Sequence, residues 1–159
     1  MKYTSILQEI NSYDSLSVIQ IDREKILNSL GIDLENGQFI DLSNLHIEEL
    51  NELIMKSLIW MERLNEVVST TKKIYMDLSL ESDKIFNEAV RKSGSTKATD
   101  AKAAAKTSEE YLSYQKKVNL ISAYVDYLER LIKNLDKIHY AVKGRLDSLR
   151  GLELKHYAS

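Results

Sequence analysis

The sequence predicts an all-α protein built on a long antiparallel helical hairpin, and three observations lead to this fold class. Proline is absent from the 159 residues and glycine occurs five times, so almost nothing interrupts helix propagation. Apolar residues recur at spacings of three and four between residues 50 and 89, and again between residues 111 and 149. Such sustained seven-residue repeats are typical of helices that pack along one another.

The first long helix is predicted over residues 44–92. Its stripe consists of Leu50, Ile54, Ser57, Met61, Leu64, Val68, Thr71, Tyr75, Leu78, Ser82, Ile85 and Ala89. The three polar members, Ser57, Thr71 and Ser82, are expected to be points of close helix approach or of register control. A second apolar column runs beside the stripe, at Leu53, Trp60, Val67 and Ile74. Two columns make a buried face wider than a helix pair needs, which predicts several partner helices and an oligomeric helical bundle.

The returning helix is predicted over residues 99–150, with Thr99 as its cap and Gly151 as its stop. Its stripe consists of Tyr111, Tyr114, Val118, Ile121, Val125, Leu128, Ile132, Leu135, His139, Val142, Leu146 and Leu149. His139 is its one position that is neither apolar nor aromatic, and it is expected to hydrogen-bond a neighbour or to set the register rather than to bind a metal. The hairpin domain therefore spans residues 44–151, and residues 152–159 form a C-terminal tail.

Residues 1–43 are predicted to form a separate acidic segment of short helices. The first begins near Tyr3. The second has Asp22 as its N-cap and Gly31 in the left-handed position that ends a helix. Asn36-Gly37 indicates a turn.

Charge is distributed unevenly along the chain. Residues 1–66 carry five Lys and Arg against twelve Asp and Glu, whereas residues 91–159 carry fourteen against eight. A polyanion would therefore approach the C-terminal half. Opposite charges on the two arms of a hairpin would also attract one another.

Signals for an enzyme are poor. Cysteine is absent, and neither a phosphate-binding glycine loop nor a nucleophile elbow is present, so we expect no enzyme and no cofactor. Two carboxylate–histidine pairs, Asp136 with His139 and Glu153 with His156, have the i, i+3 spacing of di-iron ligands, but a structural role is favoured for His139. No apolar run is long enough to span a bilayer and no signal peptide is apparent, so a cytoplasmic location is expected.

The strongest functional candidate is the segment between the two helices, residues 91–106, which we name the basic tip. Five cations stand there against one acid, Asp100, among interleaved alanines. The candidate nucleic-acid-binding residues are Arg91, Lys92, Lys97, Lys102 and Lys106. Lysine and arginine in an exposed cluster can contact phosphates, although such a cluster also serves solubility.

The order of these parts resembles the UvsY-type recombination mediators of phages. The resemblance rests on the segment NEAVRKSG at 87–94, the polar insertion after it, and the aromatic helix YVDYLERLIKNLDKI at 124–138. It covers roughly residues 44–150. It implies a small helical homo-oligomer that binds single-stranded DNA through Arg91 and Lys92, with a recombinase or a single-strand-binding protein as a partner. The aromatic pair usual before the Ser-Gly turn is replaced here by Arg91 and Lys92.

The leading hypothesis is therefore a non-enzymatic, oligomeric, single-stranded-DNA-binding accessory protein of phage type, acting in the host cytoplasm. The alternative is a helical protein–protein interaction module, an adaptor, assembly or anti-defence protein, that acts through its helix surfaces and its acidic N-terminal third.

Overall fold

Helices make up most of the described part of the chain. A computed structural model describes residues 3–32 and 41–158, and within these ranges it contains no strand. The helices are α1 (Tyr3–Asn11), α2 (Arg23–Ser29), α3 (Ile47–Lys92), α4 (Ala98–Lys106) and α5 (Glu109–Ala158), with one 3₁₀ turn at Leu42–Asn44. The predicted all-α class with two long helices is confirmed. None of these described helices has both the length and the apolar character needed to cross a membrane.

The chain divides into two compact units. Unit 1 comprises Met1–Ile19 and Val67–Leu128, and unit 2 comprises Gln20–Glu66 and Glu129–Ser159. Each unit thus takes one part of α3 and one part of α5. The boundaries predicted from the sequence, at residues 43 and 151, stay a prediction.

Unit 1 is held together by contacts between α3, α5 and α1. Gln115 donates from Nε2 to the hydroxyl of Ser82 at 2.9 Å, and Phe86 packs against Tyr111 with ring centroids 5.2 Å apart. These two contacts show that α3 and α5 run antiparallel within the unit. Tyr124 is fully buried and stacks with Tyr3 of α1.

Unit 2 uses the same arrangement with α2 as the third element. Ser57 of α3 lies 3.0 Å from His139 of α5, measured from Oγ to Nδ1. The indole N–H of Trp60 donates to the hydroxyl of Ser29 at 2.9 Å, so α2 covers part of the second apolar column. The second apolar column predicted an additional partner helix. At Trp60 this partner is α2 of the same chain.

The N-terminal helix signals are confirmed where they are described. The backbone N–H of Lys25 donates to the carboxylate of Asp22, and Gly31 has a φ of 69°. The positive φ explains why glycine ends this helix, since other residues enter that region at a cost. The turn predicted at Asn36-Gly37 lies outside the described residues.

Four predicted helix boundaries are wrong. The first long helix begins at Ile47, after the 3₁₀ turn, rather than at residue 44. The returning helix is interrupted at Thr107 because Ser108 caps a new helix: the N–H of Tyr111 donates to its hydroxyl at 3.4 Å, ahead of Glu109 and Glu110. Lys97, not Thr99, is the N-cap of α4.

The fourth boundary concerns Gly151, which was expected to end the last helix. α5 passes through Gly151 and continues to Ala158. Glycine weakens a helix by only about 1 kcal/mol relative to alanine, and no proline follows to stop it. Residues 150–158 are nevertheless all exposed, so this last part of α5 lies outside the packed core.

Candidate nucleic-acid interface

The basic tip begins where α3 ends at Lys92. Ser93 donates from its hydroxyl to the carbonyl of Val90 at 2.8 Å, and Gly94 follows with a φ of 65°. A left-handed residue after the last turn reverses the chain direction. The end predicted for the first long helix, at residue 92, is therefore confirmed.

α4 is attached to the rest of unit 1 by its alanines. Ala101 and Ala105 lie one turn apart and are buried, whereas Lys102 and Lys106, also one turn apart, are exposed. Ala104 and the end of α3 line a shallow cleft of about 270 Å³. The small residues let α4 approach closely, and this packing leaves Lys102 and Lys106 in solvent. The α4 part of the basic tip is therefore exposed on its lysine face and buried at Ala101 and Ala105.

All five candidate residues belong to unit 1 and are exposed, but their electrostatic surroundings differ. Lys92 forms an ion pair with Glu88 at 3.0 Å. The hydrogen bond from Lys92 holds the pKa of the Glu88 carboxyl below its ordinary value, and the charges of Lys92 and Arg91 act in the same direction. Lys92 is thus partly neutralised, and Arg91 lies close enough to Glu88 to interact with it.

The other three candidates lie on or beside α4. Lys97 occupies the N-cap position, where its backbone carbonyl accepts from the N–H of Ala101 at 3.1 Å. Lys102 and Lys106 are separated by four residues and so share one face. At about 100° per residue, Asp100 lies more than a quarter-turn around the axis of α4 from each of these two lysines. The carboxylate of the tip therefore does not face the lysine pair.

The basic tip cannot stack nucleic-acid bases on its own side chains. Residues 91–106 contain no aromatic side chain, and the nearest rings along the chain, Phe86 and Tyr111, pack on each other. Proteins that bind single strands without sequence preference commonly combine charge with stacking. The basic tip offers charge alone.

A second group of cations, which we did not predict as a site, lies where α1 meets α5. Lys117 Nζ is 4.9 Å from the ring centroid of Tyr114 and 5.5 Å from that of Tyr13. Lys116 forms an ion pair with Glu9 at 3.2 Å, and the hydrogen bond to that carboxylate raises the pKa of Lys116. Because Glu9 is distant in sequence, only the adjacent Lys116 and Lys117 could have drawn attention to this group.

The carboxylate–histidine pairs are not assembled into a cluster. His139 contacts Ser57, while Glu153 and His156 lie on the exposed end of α5. Across residues 3–32 and 41–158, no three histidine or carboxylate side chains are grouped so as to hold a metal ion.

Comparison with known proteins returns no relative. No protein-family model, no curated protein and no solved structure matches the chain. The class that the fold and the site define is an all-α protein whose unit 1 carries a short helix with an exposed lysine face.

Proposed function

We propose that the protein is a non-enzymatic accessory protein that binds single-stranded DNA through the basic tip. The observation that carries this proposal is the division of α4 into a buried alanine face and an exposed lysine face. A helix that contributes little apolar area to the core, yet is held in place with Lys102 and Lys106 in solvent, is suited to contact a polyanion.

Charge also explains how a nucleic acid would be bound. A site with cations and no stacking ring reads the phosphate backbone and not the bases, so we propose binding without sequence preference. Arg91, Lys97, Lys102 and Lys106 would make the main contacts, with Lys92 contributing less because of Glu88. Contact with about four phosphates gives a log–log salt slope of about −3 for a single strand.

The remaining parts of the proposal concern assembly and setting. A homo-oligomer would repeat the basic tip and increase avidity for one strand. The resemblance to phage recombination mediators supplies a recombinase or single-strand-binding protein as the proposed partner, and the host cytoplasm as the proposed location.

The test is fluorescence anisotropy of a labelled oligo-dT strand at several salt concentrations. We expect the wild-type chain to bind at low salt, with affinity falling steeply as salt rises. The double variant K97E/K102E should lose at least about tenfold in affinity, because two phosphate contacts become repulsive. Absence of binding at low salt, or an unchanged affinity in K97E/K102E, would contradict the proposal.

A matched control exists on α5. Lys133 and Lys137 are exposed lysines four residues apart in unit 2, so K133E/K137E makes the same change in net charge away from the basic tip. This variant should retain most of the wild-type affinity. A loss equal to that of K97E/K102E would indicate that only total charge matters.

The alternative, a protein-interaction module acting through the acidic N-terminal third, stays a prediction. Deleting residues 1–40 cannot test it, because this segment supplies buried core residues to both units. These are Ile6, Ile10, Leu16, Ile21, Ile26, Leu27 and Leu30. Neutralising exposed acids with D14N/E24Q tests the same surface while leaving the core in place. Loss of a cellular function with DNA binding intact would favour the alternative.

A further inference from the structure

A cleft beside the basic tip combines apolar walls with an ion pair. It has a volume of about 270 Å³ and lies where the end of α3, α4 and the start of α5 meet in unit 1. Ile85, Ala89 and Ala104 give it aliphatic surface, and the paired Glu88 and Lys92 give it charge. Ligand pockets usually measure about 300 Å³ or more, so this cleft suits one planar ring system and not a whole nucleotide.

The ion pair presents hydrogen-bonding groups in a fixed order. Lys92 Nζ lies 3.0 Å from Oε1 of Glu88. A carboxylate has two oxygens that only accept hydrogen bonds, and an ammonium group only donates them. The pair therefore offers acceptor, acceptor and donor side by side, which is the order of O2, N3 and N4 along the pairing edge of cytosine.

Guanine is the base whose edge complements this order. Its N2–H and N1–H groups donate and its O6 accepts, so the carboxylate can take both donors while the ammonium donates to O6. Adenine and cytosine have one donor group beside one acceptor, so they make two of these three bonds. Thymine has one donor between two carbonyl oxygens, and one of these oxygens would face the carboxylate.

The cleft is within reach of a strand held by the basic tip. Arg91 lies near enough to Glu88 for its charge to act on that carboxyl, so it can hold the phosphate beside a base in the cleft. At about 100° per residue, Ala104 lies on the opposite side of α4 from Lys102 and Lys106. These two lysines therefore contact nucleotides farther along the strand. The bases of a single strand are unpaired, so their pairing edges are free to enter such a cleft.

We propose that the cleft binds one unpaired guanine of the strand that the basic tip holds, with the guanine edge on the Glu88–Lys92 pair. This base contact rests on the proposed function. The exposed lysines contact phosphates alone and give no sequence preference, and the cleft adds a preference for guanine at one position of the strand. The aliphatic side chains of the cleft pack against the ring.

The test is fluorescence anisotropy at one low salt concentration with two labelled strands, oligo-dT and the same strand with a single guanine at its centre. The wild-type chain should bind the guanine strand at least about fivefold more tightly, since a good bidentate contact to a base discriminates by about that factor or more. Strands with a single adenine or cytosine at the centre should gain less.

E88Q tests the carboxylate. Glutamine keeps the shape of the side chain but replaces one acceptor oxygen with an amide donor, which opposes a donor of guanine. The ratio of the two affinities should therefore fall toward one. Comparing a ratio cancels the change in net charge, which affects both strands alike. E81Q is the matched control and should keep the wild-type ratio, because Glu81 pairs with Lys84 on α3 outside the cleft lining.

A104L tests the cleft itself without changing any charge. Ala104 is exposed on the cleft wall, so a leucine there takes up space that the ring needs. The guanine preference should fall, whereas the affinity for oligo-dT should stay near the wild-type value. A103L is the matched control, because Ala103 is also exposed on α4 but lies outside the cleft lining. Circular dichroism should show that both variants keep their helix content, as expected for substitutions at exposed positions.

The outcomes separate the base contact from the DNA-binding proposal. Equal binding of the two strands by the wild-type chain would overturn the base contact and leave phosphate binding by the basic tip standing. A guanine preference that persists in both E88Q and A104L would overturn it as well, because the base would then lie elsewhere. Absence of binding to either strand would overturn the proposed function, and the base contact with it.

Discussion

Ser57 on α3 and His139 on α5 lie 3.0 Å apart, and each is a polar exception in an otherwise largely apolar stripe. Ser57 is fully buried and donates its hydroxyl proton to the carbonyl of Ile54 at 2.8 Å. The same hydroxyl lies against Nδ1 of His139, and which of the two groups donates depends on the histidine tautomer. The pair therefore joins the two helices in one register within unit 2.

We predict that S57L destabilises the protein more than S57A does. Leucine adds volume where two helices meet, and overpacking of this kind costs about 1–3 kcal/mol in the free energy of unfolding. Alanine removes only the hydrogen-bond partner of His139, at a cost of about 1 kcal/mol. Urea denaturation measures both values. The control is S69L on the exposed face of α3, which should lie within about 0.5 kcal/mol of wild type.

Glycines supply a second prediction, because two of them differ in backbone conformation. Gly94 has a φ of 65°, so G94A should destabilise the protein by about 1–2 kcal/mol although the new Cβ would meet no atom. Gly144 lies inside α5 with open space around it, so G144A should stabilise the protein by about 0.5–1 kcal/mol. Thermal unfolding of the two variants should therefore shift in opposite directions.

The long helices could be predicted from the sequence because their signal is local. Residues three and four apart lie on one face whatever the rest of the chain does, and no proline interrupts the pattern. The same reasoning finds Asp22 and Gly31 at the ends of α2. It missed Ser108 because the alanine and lysine residues before it favour a continuous helix.

The contacts of the wider stripes could not be predicted, because they join distant residues. Trp60 bonds to Ser29, and Tyr124 donates to the carbonyl of Ile19, 105 residues away. Periodicity indicates that such side chains are covered but not which segment covers them. At the basic tip, the charges were predictable, and the Glu88–Lys92 pair was also readable as an i, i+4 pair. The burial of Ala105 could not be predicted from the sequence.

The docking of α4 gives a third prediction. Ala105 is almost completely buried and Ala103 of the same helix is exposed. A105E places a charge against the core of unit 1 and should release α4, whereas A103E should not. Hydrogen exchange of the amides at residues 98–106 is the measurement. Equal protection in the two variants would contradict the assigned packing face.

A fourth prediction concerns the pKa of Glu88, which lies below the ordinary 4.5 mainly because Lys92 donates a hydrogen bond to it. K92M should raise this pKa toward 4.5, and R91Q should raise it less because the charge of Arg91 contributes less. Carbon-detected NMR titration of the side chain measures both shifts. Since the folded-state pKa is the lower one, the stabilisation by this pair is present above pH 4.5 and is lost as the pH falls through the folded-state pKa.

The same ion pair leads to a prediction for DNA binding. E88Q removes the carboxylate that pairs with Lys92 at 3.0 Å and that attracts Arg91. Both cations then become available to phosphate, so E88Q should bind oligo-dT more tightly than wild type and with a steeper salt slope. E81Q is the control: Glu81 pairs with Lys84 on the same helix, but outside the basic tip. If E88Q and E81Q change the affinity equally, the effect is one of net charge; only a larger gain in E88Q supports a contact made by Arg91 and Lys92.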